Sequence, residues 1–125
     1  MQRNPIGWFE IPVEDMDRAK KFYQDVLEYQ IEVHEMGKIL MGWFPMKSGA
    51  EGATGSLVKG EGYKPSHHGC KIYFTSPSGD LKNELQKVES AGGKIIAPKF
   101  SIGEHGNVGV IEDTEGNLIY LHSMN

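Results

Sequence analysis

The fold is decided by the stretch from residue 8 to residue 23, which reads Trp-Phe-Glu-Ile-Pro-Val-Glu-Asp-Met-Asp-Arg-Ala-Lys-Lys-Phe-Tyr. Its first part alternates, with Phe9, Ile11 and Val13 on one side, and this period of two predicts a β-strand. Asp15 follows in the position of a helix N-cap. Behind it, six apolar residues recur at helical spacing and predict an amphipathic helix of about three turns. These residues are Met16, Ala19, Phe22, Tyr23, Val26 and Leu27.

The same order of elements occurs a second time further along the chain. The second helix is predicted to begin after Asp80 and to end at Gly92 and Gly93. The chain therefore reads β-α-β-β-β twice, which predicts one domain, residues 1–125, made of two modules at about 5–60 and 68–125. The predicted strands span residues 8–13, 29–35, 39–46, 56–59, 71–75, 94–100, 108–112 and 118–122.

Composition narrows the class of protein. With 38% hydrophobic and 24% charged residues in 125, the chain has the balance of a soluble globular domain. A formal net charge of −4 disfavours a nucleic-acid partner. No apolar run approaches the roughly 20 residues needed to span a bilayer, so no membrane partner is predicted. A single cysteine predicts a reducing, cytoplasmic location.

Residues 8–23 resemble the opening of the vicinal-oxygen-chelate superfamily, which includes glyoxalase I, the bleomycin-resistance proteins and the extradiol dioxygenases. Residues 89–96 and 112–122 resemble the helix end, strand and final hairpin of that superfamily's second module. The resemblance implies an α+β fold in which two β-α-β-β-β modules form a curved, eight-stranded open barrel. It also implies a homodimer and a small-molecule ligand inside the cavity.

The resemblance further implies ligand positions for a divalent metal on the first, fourth, fifth and eighth strands. They fall at Trp8, near Ser56, near Lys71 or Tyr73, and at Tyr120. An indole cannot ligate a metal, a protonated lysine is a poor ligand, and tyrosine is an uncommon one. The sequence therefore predicts no metal site of the usual kind, and the cofactor stays unknown.

Other side chains remain candidates for a site. Residues two apart share a strand face, so Glu10 lies beside Trp8 and His122 beside Tyr120. The first and last strands of the family fold project into one cavity, so these residues are expected to line one pocket. A paired carboxylate and imidazole suit general acid–base chemistry, and Glu10 and His122 are the predicted catalytic residues. The predicted ligand-binding residues are Trp8, Lys71, Tyr73 and Tyr120.

Three functions stay open from the sequence. The first is binding of a small organic or oxygenated metabolite in an aromatic-lined cavity, which the missing metal ligands favour. The second is a metal-dependent lyase, isomerase or dioxygenase of the same superfamily, related to lactoylglutathione lyase or to the dioxygenases. The third is an interaction module whose cavity is filled by its own aromatic side chains.

Each candidate also has an ordinary structural interpretation. Glu10 is equally consistent with a glutamate at the solvent or at a dimer edge, and His122 with a surface histidine near the C-terminus. Cys70 follows His67 and His68 but lacks the spacing of a zinc site, so it is expected to pack as a small apolar residue. His105 is expected at a loop tip over the mouth of the cavity.

Overall fold

The computed structural model describes residues 4–125 and has a mixed α+β architecture, which confirms the predicted fold class. Within that range the order is β-α-β-β-β twice, with one added 3-10 helix at Gly103–His105. The helices are α1 (Met16–Leu27) and α2 (Leu81–Val88). The strands are β1 (Phe9–Pro12), β2 (Glu32–Met36), β3 (Ile39–Trp43), β4 (Gly55–Lys59), β5 (Tyr73–Thr75), β6 (Lys94–Ser101), β7 (Asn107–Glu112) and β8 (Leu118–Ser123).

Each repeat forms its own four-stranded sheet. The first sheet has the order β1-β4-β3-β2, and the second has the corresponding order β5-β8-β7-β6. In both sheets the two strands that begin and end the repeat pair in parallel, and the remaining neighbours are antiparallel. Neither helix in residues 4–125 combines the length and apolar character needed to cross a membrane.

Both helices begin at the predicted aspartates. The side chain of Asp15 accepts a hydrogen bond from the backbone N–H of Arg18, and that of Asp80 accepts one from Lys82, each at 3.0 Å. Both aspartates have extended backbones, as an N-cap requires. Helix α1 ends at Leu27, and the next residue, Glu28, turns into the left-handed region with φ 60°.

The two helices cover equivalent faces of the two sheets. Gly42 on β3 and Gly109 on β7 face the first residues of α1 and α2. A Cβ on Gly42 would lie 3.0 Å from Sδ of Met16, and one on Gly109 would lie 3.0 Å from Cδ1 of Leu81. Both modules thus use a glycine to let the helix approach the sheet closely, and their buried side chains form one continuous core.

The turn between β7 and β8 connects the second module to the start of α1. Oε1 of Glu115 accepts hydrogen bonds from the backbone N–H groups of Glu14 and Asp15, at 2.9 and 2.8 Å. Oε2 accepts one from Nε of Arg18 at 2.7 Å. Burial raises the pKa of Glu115, but the hydrogen bonds from Arg18 and from the two backbone groups outweigh it and hold that pKa below its ordinary value.

A second buried contact lies beside this turn. The hydroxyl of Tyr23 on α1 donates to Oδ2 of Asp113 at 2.6 Å, and Nδ2 of Asn117 donates to the carbonyl oxygen of Pro12 at 2.7 Å. Burial raises the pKa of Asp113 and, more strongly, that of Tyr23. The β7–β8 turn of the second module is therefore hydrogen-bonded to strand β1 and helix α1 of the first module.

Two predicted strands of the first module are too long. Strand β2 begins at Glu32 rather than at residue 29, because the chain leaves α1 through a left-handed residue and Ile31 donates to the side chain of Gln24 at 3.1 Å. Strand β3 ends at Trp43 rather than at residue 46, because Pro45 has no N–H to donate and the chain then runs over the surface. Ile31 and Phe44, which the predicted strands included, are apolar because they are buried in the core.

Candidate functional site

The face of each sheet that the helices leave uncovered is called here its open face. On β8, Ile119 and Leu121 are buried against the helix side, whereas Tyr120 and His122 are half-buried on the open face. Strand register places Val108 of β7 opposite His122. The open face of the second sheet therefore carries an imidazole and a phenol among apolar neighbours.

A cavity of about 420 Å³ lies over this open face and is called the aromatic cavity. The rings of Tyr73 and Tyr120 stack along it, with centroids 4.6 Å apart. The rest of its lining consists of Thr75, Phe100, Ile102, Val108 and His122. The lining is apolar and aromatic with few polar groups, which is the usual make-up of a pocket for a small organic molecule.

The imidazole of His122 is held from one side by a loop. Its Nε2 lies 2.7 Å from the carbonyl oxygen of His105, which ends the 3-10 helix. The side chain of His105 itself points to solvent, with 78% of it exposed. His105 therefore acts on the cavity through its backbone.

A second cavity, of about 230 Å³, lies at the seam between the two modules and is called the seam cavity. Its polar lining includes Glu10, Lys64, His68 and Cys70. Cys70 is exposed, which corrects the expectation that it packs in the core, because the connector that carries it runs over the surface. Oε1 of Glu10 accepts a hydrogen bond from the hydroxyl of Tyr63 at 3.0 Å, and this bond raises the pKa of Tyr63.

The predicted site residues are therefore divided. Tyr73, Tyr120 and His122 share the aromatic cavity, whereas Glu10 lines the seam cavity. The expectation of one pocket that joins Glu10 and His122 is corrected, because β1 and β8 belong to different sheets. The roles predicted for these side chains stay predictions.

The other two predicted ligand-binding residues line neither cavity. Trp8 lies just before β1 and is 38% exposed. Nζ of Lys71 donates to the carbonyl oxygen of His67 at 2.7 Å, within the connector. That bond holds the ammonium group against the connector.

The open face of the first sheet is different. Trp43 and Ser56 are register partners on β3 and β4. The indole Nε1 and the Ser56 hydroxyl are both buried and have no hydrogen-bond partner among residues 4–125. The ring of His34 packs on Trp43 with centroids 4.2 Å apart. This face thus carries two buried polar groups at an energetic cost.

These residues do not fit a divalent metal. The four positions implied by the resemblance hold an indole, a serine hydroxyl and two tyrosine phenols, with Lys71 beside one of them. Such a set lacks the imidazole and carboxylate donors that divalent ions prefer. Within the described part of the chain, no group of three or more His, Cys, Asp or Glu side chains could hold a metal ion.

Sequence reasoning missed four residues of the aromatic cavity, namely Thr75, Phe100, Ile102 and Val108. Alternation along each strand indicated that these strands have two faces. It could not show which face of β6 or β7 joins that of β8, because this depends on the register between strands. Two register shifts between β6 and β7 made the position of Phe100 especially hard to infer.

Comparisons with known proteins agree with this architecture. A family model described as the glyoxalase/bleomycin resistance protein/dioxygenase superfamily matches residues 5–121. A glyoxylase-like domain-containing protein from Didymella fabae is 30% identical over 118 residues, which cover 90% of this chain and 88% of that protein.

Solved structures show the same fold at lower identity. A glyoxylase/bleomycin resistance protein/dioxygenase domain from Frankia sp. superposes with a TM-score of 0.75 at 13% identity, covering 98% of both chains. A glyoxalase I mutant from Zea mays superposes with a TM-score of 0.72 at 17% identity, covering 96% of this chain and 47% of the maize chain. This chain thus spans about half the length of the maize protein.

Proposed function

This chain belongs to the glyoxalase/bleomycin resistance protein/dioxygenase superfamily, and we propose that it binds a small organic molecule in the aromatic cavity without a metal ion. The observation that carries the proposal is the lining of that cavity, in which stacked tyrosines, Phe100 and aliphatic side chains surround one imidazole. Aromatic walls bury a flat ligand at a small cost in side-chain entropy.

Binding is favoured over catalysis by the separation of the charged groups. Glu10 lies in the seam cavity and is bonded to Tyr63, so in a single chain it does not form an acid–base pair with His122. The donor set at the four metal positions does not support a Lewis acid. The aromatic cavity is also open space rather than a site filled by its own side chains, which disfavours the filled interaction module.

The proposal includes a homodimer. The walls of the aromatic cavity expose much apolar surface, with Tyr73 at 55%, Phe100 at 44% and Ile102 at 40% exposure. A second copy that covers this face would remove the apolar surface from water and would enclose the ligand. Sedimentation velocity across a range of protein concentrations tests this, and a monomer at every concentration would contradict it.

The compartment proposed for this activity is the cytoplasm. Cys70 is the chain's single cysteine, and its side chain is exposed. A reducing environment would keep this thiol from forming disulfides between molecules.

Ligand binding is tested with 2-methoxynaphthalene, a flat apolar probe, by isothermal titration calorimetry. Thr75 is exposed on the edge strand β5 and lines the cavity, so Thr75→Trp fills the space with little effect on the core. We expect it to weaken binding at least about tenfold, which corresponds to 1.4 kcal/mol. Lys59→Trp, at the exposed end of β4, is the matched control and should bind as the original chain does. Equal binding by the Thr75 and Lys59 variants would overturn the proposal.

A further inference from the structure

The hydrogen bond to His105 determines which nitrogen of the His122 ring carries a proton. A carbonyl oxygen can only accept, and Nε2 of His122 lies 2.7 Å from that of His105. Nε2 must therefore be the donor. In a neutral imidazole the other nitrogen, Nδ1, then carries a lone pair and accepts. No hydrogen bond from the described residues, 4–125, reaches Nδ1.

The loop can hold the ring in this way because residue 106 is a glycine. Gly106 has φ +103°, which L-residues rarely adopt. A Cβ there would lie 2.5 Å from the carbonyl oxygen of Ser123 and 3.2 Å from Nε2 of His122. The backbone after the 3-10 helix therefore approaches the imidazole closely, and the ring is oriented by main-chain atoms rather than by a mobile side chain.

His122 lines the aromatic cavity and its Nε2 is bonded to the loop, so Nδ1 is the ring nitrogen left for a ligand, and the other lining residues limit which ligand fits. The walls of the cavity are the stacked rings of Tyr73 and Tyr120 with Phe100, which suit a planar aromatic ligand. Among the described residues that line it there is no lysine or arginine, so an anionic ligand has no permanent cation to pair with. A carboxylate would also present a second acceptor to an acceptor nitrogen.

We infer that the aromatic cavity selects ligands that carry a hydroxyl on an aromatic ring, and that this hydroxyl donates its hydrogen bond to Nδ1 of His122. The inference rests on the proposed binding function and adds a ligand class and a specificity-determining residue to it. His105 and Gly106 are positioning residues, because they act only through the orientation of His122.

The test compares 2-naphthol with 2-methoxynaphthalene, which has the same rings but no hydroxyl hydrogen. By calorimetry we expect the protein, as purified, to bind 2-naphthol roughly tenfold more tightly, because only 2-naphthol has a hydroxyl that can donate to Nδ1. His122→Phe should bring the ratio close to one, and His122→Gln, which keeps an acceptor, should restore part of it. His34→Phe, a histidine on the other open face, is the control and should leave the ratio unchanged.

Nitrogen NMR of the His122 ring distinguishes a hydrogen bond between Nδ1 and the ligand from a purely structural role of this residue. We expect the Nδ1 signal of the original chain to be that of an unprotonated nitrogen and to shift with 2-naphthol but not with its methyl ether. This measurement decides the question even if His122→Phe fails to fold. Equal affinity for the two probes, or no selective change at Nδ1, would overturn the inference and leave the binding function standing. Binding of neither probe would overturn the proposed function as well.

Discussion

The two modules are nearly equivalent on their helix-covered side and differ on their open side. Asp15 and Asp80 cap the two helices alike, and Gly42 and Gly109 let those helices approach their sheets alike. On the open side, the second sheet has the aromatic cavity, whereas the first has two buried polar groups that no residue of the described range 4–125 bonds. Packing between helix and sheet therefore constrains both repeats to the same arrangement, while the open faces are free to differ.

The helix N-termini show a second asymmetry. The backbone N–H groups of Glu14 and of the N-cap Asp15, just before α1, are bound by Glu115, which comes from the other module. The first N–H group of α2 instead donates to Ser123, at the end of its own module's last strand. The start of α1 is thus bonded by a side chain of the other module, whereas the start of α2 is bonded by a side chain of its own module.

The largest loss of stability is expected when the hydrogen bonds of Glu115 between the two modules are removed. Glu115→Ala leaves the N–H groups of Glu14 and Asp15 and the guanidinium of Arg18 without their acceptor. Because the carboxylate is buried, we expect the free energy of unfolding to fall by about 3 kcal/mol in urea denaturation. Lys21→Ala, which removes an exposed ion pair with Asp25, should cost below about 0.5 kcal/mol. Equal losses in the two variants would show that the modules do not depend on this contact.

The hydrogen bonds of Glu115 also predict that the stability of the protein depends on pH. The folded pKa of Glu115 lies below its ordinary value of 4.5, so its stabilising contribution is present above that value and is lost as pH falls through the folded pKa. The stability difference between the original chain and Glu115→Gln should therefore shrink as pH is lowered from 6 toward 3. Asp113 acts in the opposite sense, because burial raises its pKa, but it is present in both chains and cancels. A difference that stays constant over this range would contradict the assignment.

A smaller loss of stability, equal in the two modules, is expected when the glycine that faces each helix is replaced by alanine. Gly42→Ala places a methyl group 3.0 Å from Met16 and 3.1 Å from Ile31, and Gly109→Ala places one 3.0 Å from Leu81 and 3.2 Å from Leu85. Since these side chains can move slightly, we expect each change to lower the free energy of unfolding by about 1–2 kcal/mol. Thermal denaturation of the two variants measures whether the effects match. A large difference between the two losses of stability would show that the helix-covered sides of the two modules are not equivalent.

The smallest effect is expected on the open face of the first sheet. The hydroxyl of Ser56 has no partner among the described residues, so Ser56→Ala should leave the free energy of unfolding unchanged within about 0.5 kcal/mol, or raise it. Ser123 is a buried serine on the helix-covered side of the second sheet, and its hydroxyl accepts from Leu81 and donates to Asn125. Ser123→Ala should therefore cost about 1–2 kcal/mol. A comparable loss from Ser56→Ala would indicate that a water molecule or a second copy bonds this hydroxyl.

Local signals predicted most of the fold. Asp15, Asp80 and the apolar spacing of the two helices are read within a few residues, and the structure places both helices there. The repeat then gave the order of the strands. The ends of β2 and β3 were missed because Ile31 and Phe44 are apolar for reasons of core packing.

The site was less accessible from the sequence. Tyr73 and Tyr120 were found because the family resemblance placed their strands together. The separation of Glu10 from His122 could not be read, because it depends on how two sheets are arranged in space. The contacts of Glu115 could not be inferred from the sequence either, because its partners lie far away along the chain.

The separation of Glu115 from its partners along the chain affects how the protein folds during synthesis. The hydrogen bonds from Glu14 and Asp15 to Glu115 span 101 and 100 residues. A ribosome therefore has to synthesise nearly the whole second module before the N-terminal helix acquires its acceptor. The early chain can form its helix and strands locally, but its complete structure is reached only after Glu115 has been added to the chain. The two halves of the duplication are thus bound into one cooperative folding unit, in which neither repeat can be lost without exposing the other.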